Sequence, residues 1–408
     1  MKQTVLCSRY RKEQVLSKKV SSSRSIAFWR DIRVLRVISQ ILFLAAIAAG
    51  LWWLFNNLQT NLKSAGLNIS FRFLRETAGF PISEGLAYDP TNVNGYAFWV
   101  GIVNTLRVAV IGIVFATIIG TVVGIARLSN NLLVRKLASF YVETIRNIPL
   151  LVQLFFWYFA VMLTALPLVG DSIRLPGPIY LSRRGLYMPW PITTESFGLW
   201  SWFLMGGVAL AIVVYLCRRI QLRRAERPGF PIVWAAGTFI AVAIAGWFIT
   251  PGNPLSVIVP ELKRFNFEGG LWLSTPFTAL LAGLSVYTGA FIAEIVRAGI
   301  TAVSKGQTEA AKAVGLKNVQ VLRLVILPQA LRVIIPPLGS QYLNLTKNSS
   351  LAILIGYYDL MNIGTTIFNQ TGRAVEMILL VMATYLAMSL FTSLLMNLYN
   401  RRMKLVER

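Results

Sequence analysis

A polar stripe crosses an otherwise apolar stretch at residues 333–355. Gln341, Asn344 and Asn348 recur at i, i+3 and i+7, so an α-helix places them on one face, and Lys347 lies beside that face. A lysine at the centre of a membrane-spanning helix costs about 2.5–3.5 kcal/mol, and we therefore expect it to face protein or water rather than lipid. An ammonium group in that position can attract a carboxylate, and the neighbouring amides can hydrogen-bond to a small polar solute.

Two interpretations of this stripe stay open. In the first, Lys347, Asn348, Ser349 and Ser350 line the path of a solute, with the lysine attracting its carboxylate. In the second, Lys347 pairs with a carboxylate of the protein itself, and Asn344 ties neighbouring helices together.

Two further features bear on such a path. Pro336-Pro337 predicts a break or kink near the start of the same segment, because a proline ring removes a backbone donor and clashes with the preceding turn. Glu294, in the preceding apolar segment, is a candidate contact for a substrate ammonium. The alternative is that Glu294 simply pairs with Arg297, three residues later.

A second constellation, at residues 304–328, suits mechanical coupling rather than solute binding. Ser304 and Gln307 predict a capping box, and Gly315 predicts the left-handed residue that ends a short helix. Asn318 predicts the cap of a second short helix, which Pro328 interrupts. Two short helices that meet at a glycine between apolar segments indicate an element that docks into a partner. Its candidate coupling residues are Glu309, Ala310, Ala311, Gly315, Leu327 and Pro328.

The elements that must position these residues are membrane-spanning helices. The chain of 408 residues is 55% hydrophobic and 14% charged, whereas soluble domains average about 25% charged residues. Several apolar runs reach the roughly 20 residues needed to cross a bilayer. We therefore predict an all-α integral membrane protein with about eight transmembrane helices, at residues 37–55, 98–126, 145–166, 197–217, 231–249, 276–298, 333–355 and 375–398.

The distribution of basic residues sets the orientation of these helices. Segments on one side hold 28 Lys or Arg residues, and the loops on the other side hold 9. The positive-inside rule places the basic side, with both termini and the 304–328 loop, in the cytoplasm. The net charge of +24 therefore reflects topology, and we predict no nucleic-acid partner.

Composition also excludes several kinds of chemistry. The chain contains no histidine, which is the commonest metal ligand, and we predict neither a metal site nor catalytic residues. It contains no G-x-x-x-x-G-K-[ST] loop, so we expect it to bind no cofactor itself and any ATP-driven work to come from a partner. Cys7 and Cys217 both fall on the cytoplasmic side, and we expect no disulfide.

The 304–328 segment resembles the coupling loop of type I importer permeases of the ATP-binding-cassette (ABC) class. That loop reads E-A-A, three residues, G, nine residues, then I-x-L-P, and here Val325 replaces the first isoleucine. The run Leu345 to Ala352 and the E-x-x-R-x-x-P pattern at Glu143 to Pro149 are similar to the polar amino-acid family of these permeases. The segment 167–273 resembles the helical hairpin that the longer general L-amino-acid permeases insert into the core.

The resemblance implies a type I permease core with that hairpin inserted. It implies a membrane-spanning subunit of an ATP-driven, binding-protein-dependent importer of L-amino acids in the bacterial inner membrane, surrounded by lipid. The implied partners are two ATPase subunits that bind ATP and magnesium, a second permease (a second copy or a related chain), and a periplasmic amino-acid-binding protein. Asn348 stands where the family commonly has Asp, which weakens a preference for cationic amino acids.

The expected organisation has four parts. A cytoplasmic basic tail (1–36) precedes the first helix and an external loop (37–97). The permease domain (98–398) contains the insertion 167–273 and the coupling loop 304–328, and a short cytoplasmic tail (399–408) ends the chain. The main alternative function is that of an ion-coupled secondary amino-acid transporter, which would need acidic residues within its helices. A membrane enzyme or a purely structural anchor fits less well, since no catalytic constellation is apparent and an anchor needs no polar helix.

Overall fold

The protein forms two compact units, Met1–Ser70 and Phe71–Arg408. A computed structural model describes most of the chain, in the three ranges 32–64, 69–225 and 229–403. The predicted terminal tails and Cys7 lie largely or entirely outside these ranges.

The described part of the first unit is one long helix, α1 (Ile32–Ser64). It contains the predicted span 37–55, and its side chains are exposed almost throughout. Trp52 and Trp53 stand near its middle rather than at its end. An apolar helix with no buried face within its own chain is typical of a membrane segment.

Within its described residues the second unit contains ten longer helices and two short 3-10 helices, Arg72–Arg75 and Val169–Asp171. The longer helices are α2 (Asn94–Ala126), α3 (Leu132–Asn147), α4 (Leu150–Ala165), α5 (Phe197–Arg224), α6 (Pro231–Ile249), α7 (Thr275–Thr301), α8 (Lys305–Ala313), α9 (Asn318–Ile355), α10 (Leu360–Thr371) and α11 (Ala374–Met403).

The helices confirm the all-α membrane class. Among the described residues, seven helices are long and apolar enough to cross a membrane, and an eighth crossing results if α3 and α4 form one span. Those two helices meet at an angle of 107°. Pro149 lies at the bend, where it disfavours a helical conformation of Ile148. The helix that the sequence predicted at residues 145–166 therefore begins only at Leu150, as α4.

Helices α2 and α7 form the centre of the second unit. Ala116, Gly120 and Gly124 recur every fourth residue along α2 and are all buried. A methyl group added to Gly120 would lie 2.5 Å from the side chain of Ile292, so only a residue without Cβ allows this approach. These small residues therefore let α2 and α7 pack closely.

The segment 167–273 contains short strands that the sequence did not predict. Strands β1 (Ile173–Leu175), β2 (Ile179–Ser182), β3 (Gly185–Met188) and β8 (Leu271–Leu273) form an antiparallel sheet in the order β1-β2-β3-β8. Two two-stranded ribbons pair β4 (Trp190–Thr193) with β5 (Leu255–Ile258), and β6 (Glu261–Lys263) with β7 (Asn266–Glu268). Helices α5 and α6 form the predicted hairpin and pack mainly against each other.

Helix α9 differs from expectation at its prolines. Its backbone is helical from Asn318 through a π-helical turn (Val321–Ile326) to Ile355. Pro328 follows the π-turn within this helix, so the prediction that it interrupts the second short helix was wrong. The predicted break or kink at Pro336-Pro337 is not a break, because the α-helix Leu327–Asn348 contains both prolines. A π-turn accommodates a missing backbone donor without ending the helix.

Helix α10 was not predicted, since at 12 residues it is too short to span a membrane. Asp359 caps its N-terminus by accepting a hydrogen bond from the Asn362 N–H at 2.9 Å. Leu360, Ile363 and Ile367 are fully buried against α2 and α11. The segment between the last two spans is therefore part of the core.

Candidate functional site

The polar stripe of α9 lies on the surface of the chain. Asn344 and Lys347 are exposed, and Gln341 and Asn348 are half-buried. Leu345, on the side of α9 that faces α2, is fully buried and packs against Gly112. The exposed part of the stripe, Asn344 and Lys347, therefore faces away from the chain's own core.

The hydroxyls that follow the stripe bond to their own helix. Ser349 is fully buried and donates to the Thr346 carbonyl at 2.7 Å, and Ser350 donates to the Lys347 carbonyl at 2.8 Å. Their donors are satisfied without a solute, which leaves their oxygens as acceptors. Within the described ranges Lys347 makes no ion pair, so the alternative in which it pairs with a carboxylate of this chain is not formed.

Glu294 is enclosed by two guanidinium groups. It pairs with Arg297 on its own helix, as the alternative interpretation predicted, and also with Arg127 at the end of α2. The second partner could not be read from sequence, because the two residues are 167 positions apart. This double pairing leaves Glu294 less able to receive a substrate ammonium than the sequence suggested.

Glu143 and Arg146, of the E-x-x-R-x-x-P pattern, make no ion pair within the described structure. Instead, the guanidinium carbon of Arg146 lies 5.0 Å from the ring centroid of Phe291.

The coupling loop begins with α8 and turns at Gly315 as predicted. Gly315 has φ +87°, and its N–H donates to the Lys312 carbonyl at 2.9 Å. The Leu316 N–H donates to the Ala311 carbonyl at 3.2 Å, which completes a Schellman motif. A residue with a Cβ is strained at this φ, so the glycine sets the elbow.

The caps at the two ends of the elbow differ from prediction. Ser304 is the N-cap residue of α8, but its side chain makes no capping hydrogen bond. Lys317, rather than Asn318, is the N-cap of the next helix, and its N–H donates to the Gln320 side chain at 2.9 Å. Asn318 is already the first helical residue.

The coupling residues divide into an outward and an inward set. Glu309 and Ala310 are exposed, and Val314 next to the elbow is 82% exposed. Ala311, by contrast, is buried, on a helix that contacts the π-turn of α9. Leu327 is exposed and Pro328 half-buried on α9 itself. The outward set forms the surface available to a partner.

A polar cluster on the predicted outer side was missed by sequence reasoning. Glu84 is buried and accepts a hydrogen bond from Ser274, the N-cap residue of α7. Asn104 of α2 donates to the backbone carbonyls of Glu84 and Tyr358, at 3.2 and 2.9 Å. Asn104 is a polar residue in an apolar helix, and this feature of the sequence could have indicated the cluster.

Burial changes the acidity of the carboxyl groups in this cluster. The loss of hydration raises the pKa of Glu84 above its ordinary value. It raises the pKa of Asp359, which is fully buried, to about 6, although the cap hydrogen bond opposes the shift. The cluster ties the loop before α2, the start of α7 and the start of α10 together.

Comparisons with known proteins agree with this architecture. A family described as "Binding-protein-dependent transport system inner membrane component" matches residues 112–405. The chain is 47% identical to YhdX of Escherichia coli K12, which is named as an amino-acid ABC transporter permease, over 90% of this chain and 94% of that protein. It is 45% identical to the general L-amino acid transport system permease AapQ of Rhizobium johnstonii, over 93% and 94%. It is 41% identical to the glutamate/glutamine/aspartate/asparagine transport system permease BztB of Rhodobacter capsulatus, over 93% and 96%.

Proposed function

We propose, from the premise that this chain belongs to the family of inner-membrane components of binding-protein-dependent transport systems, that it forms one half of the pathway of an L-amino-acid importer. The chain is a multi-pass transport subunit and not itself an enzyme. ATP hydrolysis belongs to a separate subunit, and the family implies a substrate-binding protein and a second permease as partners. None of the matches supports the ion-coupled alternative.

The exposed stripe of α9 is the observation that carries the proposal. Asn344 and Lys347 lie on the surface of a membrane-spanning helix, where contact with lipid would be costly. A second permease facing this surface would remove them from lipid and enclose a polar path between the two subunits. This proposal includes the four-part domain division expected from the sequence. It also places Gln341 and Asn348 on the same path.

The substrate class follows from the relatives and from the charge of the stripe. AapQ and BztB are named for general L-amino acids and for glutamate, glutamine, aspartate and asparagine. Lys347 supplies a positive charge that suits the carboxylate common to these solutes, and Asn348 adds no opposing negative charge. We assign Ser349, Ser350 and Glu294, the last paired with two arginines, to the neighbourhood of this path.

We propose the same partner subunits that the family resemblance implied. Two ATPase subunits, which bind ATP and magnesium, receive the α8 elbow through Glu309, Ala310 and the residues around Gly315. Leu327 and Pro328 carry the resulting movement into α9. A related permease provides the other half, and a periplasmic binding protein delivers the solute at the inner membrane of a bacterium.

Reconstitution of the complete importer tests the pathway. Lys347→Met in proteoliposomes should lower ATP-driven uptake of glutamate or glutamine at least about tenfold, because the charge that attracts the carboxylate is lost. Lys136→Met is the matched control, since Lys136 is an exposed lysine on α3 and should leave uptake unchanged. Near-normal uptake by Lys347→Met would reject the pathway role. Uptake driven by an ion gradient without ATP would favour the secondary-transporter alternative.

A further inference from the structure

The inserted α5–α6 hairpin has a surface that the transport mechanism does not use. Both helices are long enough to cross the membrane, and few of their residues are fully buried within the chain. The hairpin packs mainly on itself, and its outer end is joined by the β4–β5 ribbon.

An apolar groove runs along one face of this hairpin. Its inner part has a volume of about 430 Å³ and its outer part about 290 Å³, and the two parts meet at Phe239 of α6. On α5 the inner part is lined by Val208, Ala211, Ile212 and Tyr215, which share one helix face at i, i+3, i+4 and i+7. These volumes are in the range of small-ligand sites.

Two arginines stand at the cytoplasmic end of the same face. Arg218 and Arg219 follow Tyr215 by three and four residues, so they continue the stripe by one helical turn. The guanidinium carbon of Arg218 lies 4.5 Å from the ring centroid of Trp234 on α6, and its Nη1 donates to the Gln221 side chain at 3.3 Å. Arg219 is exposed and makes no ion pair or hydrogen bond within the part of the chain that the structure describes.

The sequence that follows Tyr215 is strongly basic. Residues 218–227 hold five arginines and one acidic residue, Glu226, whose placement is outside the described ranges. A cluster of arginines at the cytoplasmic surface of a bilayer attracts anionic lipid headgroups.

The distance between the charges and the groove matches one leaflet. Val208 and Arg218 are ten residues apart on one helix, which corresponds to about 15 Å at 1.5 Å per residue. Half of a hydrocarbon core of about 30 Å is the same length. We propose that the hairpin binds an anionic glycerophospholipid of the inner leaflet, with its phosphate at Arg218 and Arg219 and one acyl chain in the inner groove.

The alternative occupant of the groove is a transmembrane helix of a neighbouring subunit. A packed transmembrane helix would fill both parts of the groove and would need no cluster of cations at its inner rim. A phosphodiester supplies the negative charge that the two arginines lack, and guanidinium groups bind phosphate oxygens bidentately. The lipid site is independent of the proposed solute path, so either can fail without the other.

Native mass spectrometry of the purified importer tests the site. The complex would be exchanged into detergent with dioleoyl phosphatidylglycerol or dioleoyl phosphatidylcholine, and the bound lipid counted at increasing lipid concentration. We expect the wild type to retain phosphatidylglycerol at about tenfold lower concentration than phosphatidylcholine. The double variant Arg218→Gln/Arg219→Gln should lose this preference and keep the subunit composition of the wild type.

Two further variants separate the headgroup from the chain. Ala211→Trp fills the inner groove and should lower the retention of both lipids. Lys136→Gln removes an exposed charge on α3, outside the hairpin, and should change nothing. Equal retention of the two lipids by the wild type, or an unchanged preference in the double arginine variant, would overturn the proposal. Efficient cross-linking of the Ala236→Cys variant to the second permease in native membranes would also overturn the proposal, because Ala236 lines the groove.

Discussion

Asp359 shows how one buried carboxyl group links the stability of the fold to pH. Its Oδ1 caps α10, and its Oδ2 accepts a hydrogen bond from Tyr385 at 3.2 Å. Because its pKa is raised to about 6 from an ordinary 3.8, the folded state keeps the proton that the unfolded chain releases in this interval. Stability from this group is therefore lost as the pH rises from about 3.8 through about 6.

The substitution Asp359→Asn removes this dependence. Asparagine keeps the capping oxygen and offers an N–H to the Tyr385 oxygen, without a charge to bury. We expect the variant to be more stable than the wild type at pH 7.5, by at most about 3 kcal/mol, and by about half of that at pH 5. Thermal unfolding of the purified complex at both pH values measures this. Glu84→Gln should be run in parallel, since burial raises the pKa of Glu84 in the same direction. An equal change at both pH values would contradict the prediction.

Gly315 makes a second prediction at the scale of one residue. Nothing lies within 4 Å of a Cβ added there, so Gly315→Ala acts through the backbone alone. The left-handed conformation costs about 1–2 kcal/mol for a residue with a Cβ, and the elbow should loosen. We expect ATP-driven uptake to fall severalfold, with the importer still assembled.

Gly306 provides the matched control for the elbow. It lies in the first turn of α8, and a Cβ added to it also meets nothing within 4 Å. Its backbone is helical, so Gly306→Ala should be neutral or slightly stabilising. Hydrogen exchange of α8 should rise in Gly315→Ala and stay unchanged in Gly306→Ala. An equal loss of uptake in both variants would mean that the surface, rather than the elbow, is what the partner requires.

At the scale of elements, the contact between α2 and α7 holds the second unit together. Gly120→Ala would place its methyl group 2.5 Å from Ile292 and 2.9 Å from the Gly289 carbonyl, so the two helices must separate. Overpacking of this kind costs about 1–3 kcal/mol. The melting temperature of the complex in detergent should fall by several degrees. Gly237→Ala on α6 meets nothing within 4 Å and should leave the melting temperature unchanged. Similar behaviour of the two variants would show that the helices adjust freely.

The sequence predicted these elements where their signal is local. Apolar length located the spans, and the glycine after the E-A-A pattern located the elbow, because both depend on neighbouring residues only. The bend at Pro149 and the continuity of α9 through Pro336 and Pro337 depend on how the surrounding helices pack. The same reason explains why the contact of Asn104 with Tyr358 and the Arg127–Glu294 pair were missed, as the two residues of each pair are 254 and 167 positions apart in sequence.

At the scale of the whole molecule, the hairpin is a removable unit. Trp190 and Ile258 are directly paired across the β4–β5 ribbon, so their Cα atoms are about 4.5–5.5 Å apart. An Asn-Gly turn between Trp190 and Ile258 can therefore replace residues 191–257. The replacement leaves strands β3 and β6, which lie outside the ribbon, in place. We expect this variant to assemble with its partners and to transport within about twofold of the wild type. It should no longer retain phosphatidylglycerol preferentially.

The deletion also tests how the two halves of the importer meet. Loss of assembly in co-purification would mean that the hairpin contributes to the contact between permeases. The family and function inferred from sequence are confirmed by the match over residues 112–405 and by relatives that cover almost the whole chain. The roles of individual site residues stay predictions, because no relative's name identifies a residue.

The exposure of Val314 has a consequence for the life of the subunit in the cell. We expect a subunit whose coupling surface, with Val314 82% exposed, is not covered by its ATPase to be a substrate of cellular quality control. A copy made in excess of its ATPase should be degraded within minutes, whereas an assembled copy should persist. The abundance of this polypeptide would then be set by the supply of its partner, and pulse-chase labelling with and without co-expression would reveal it.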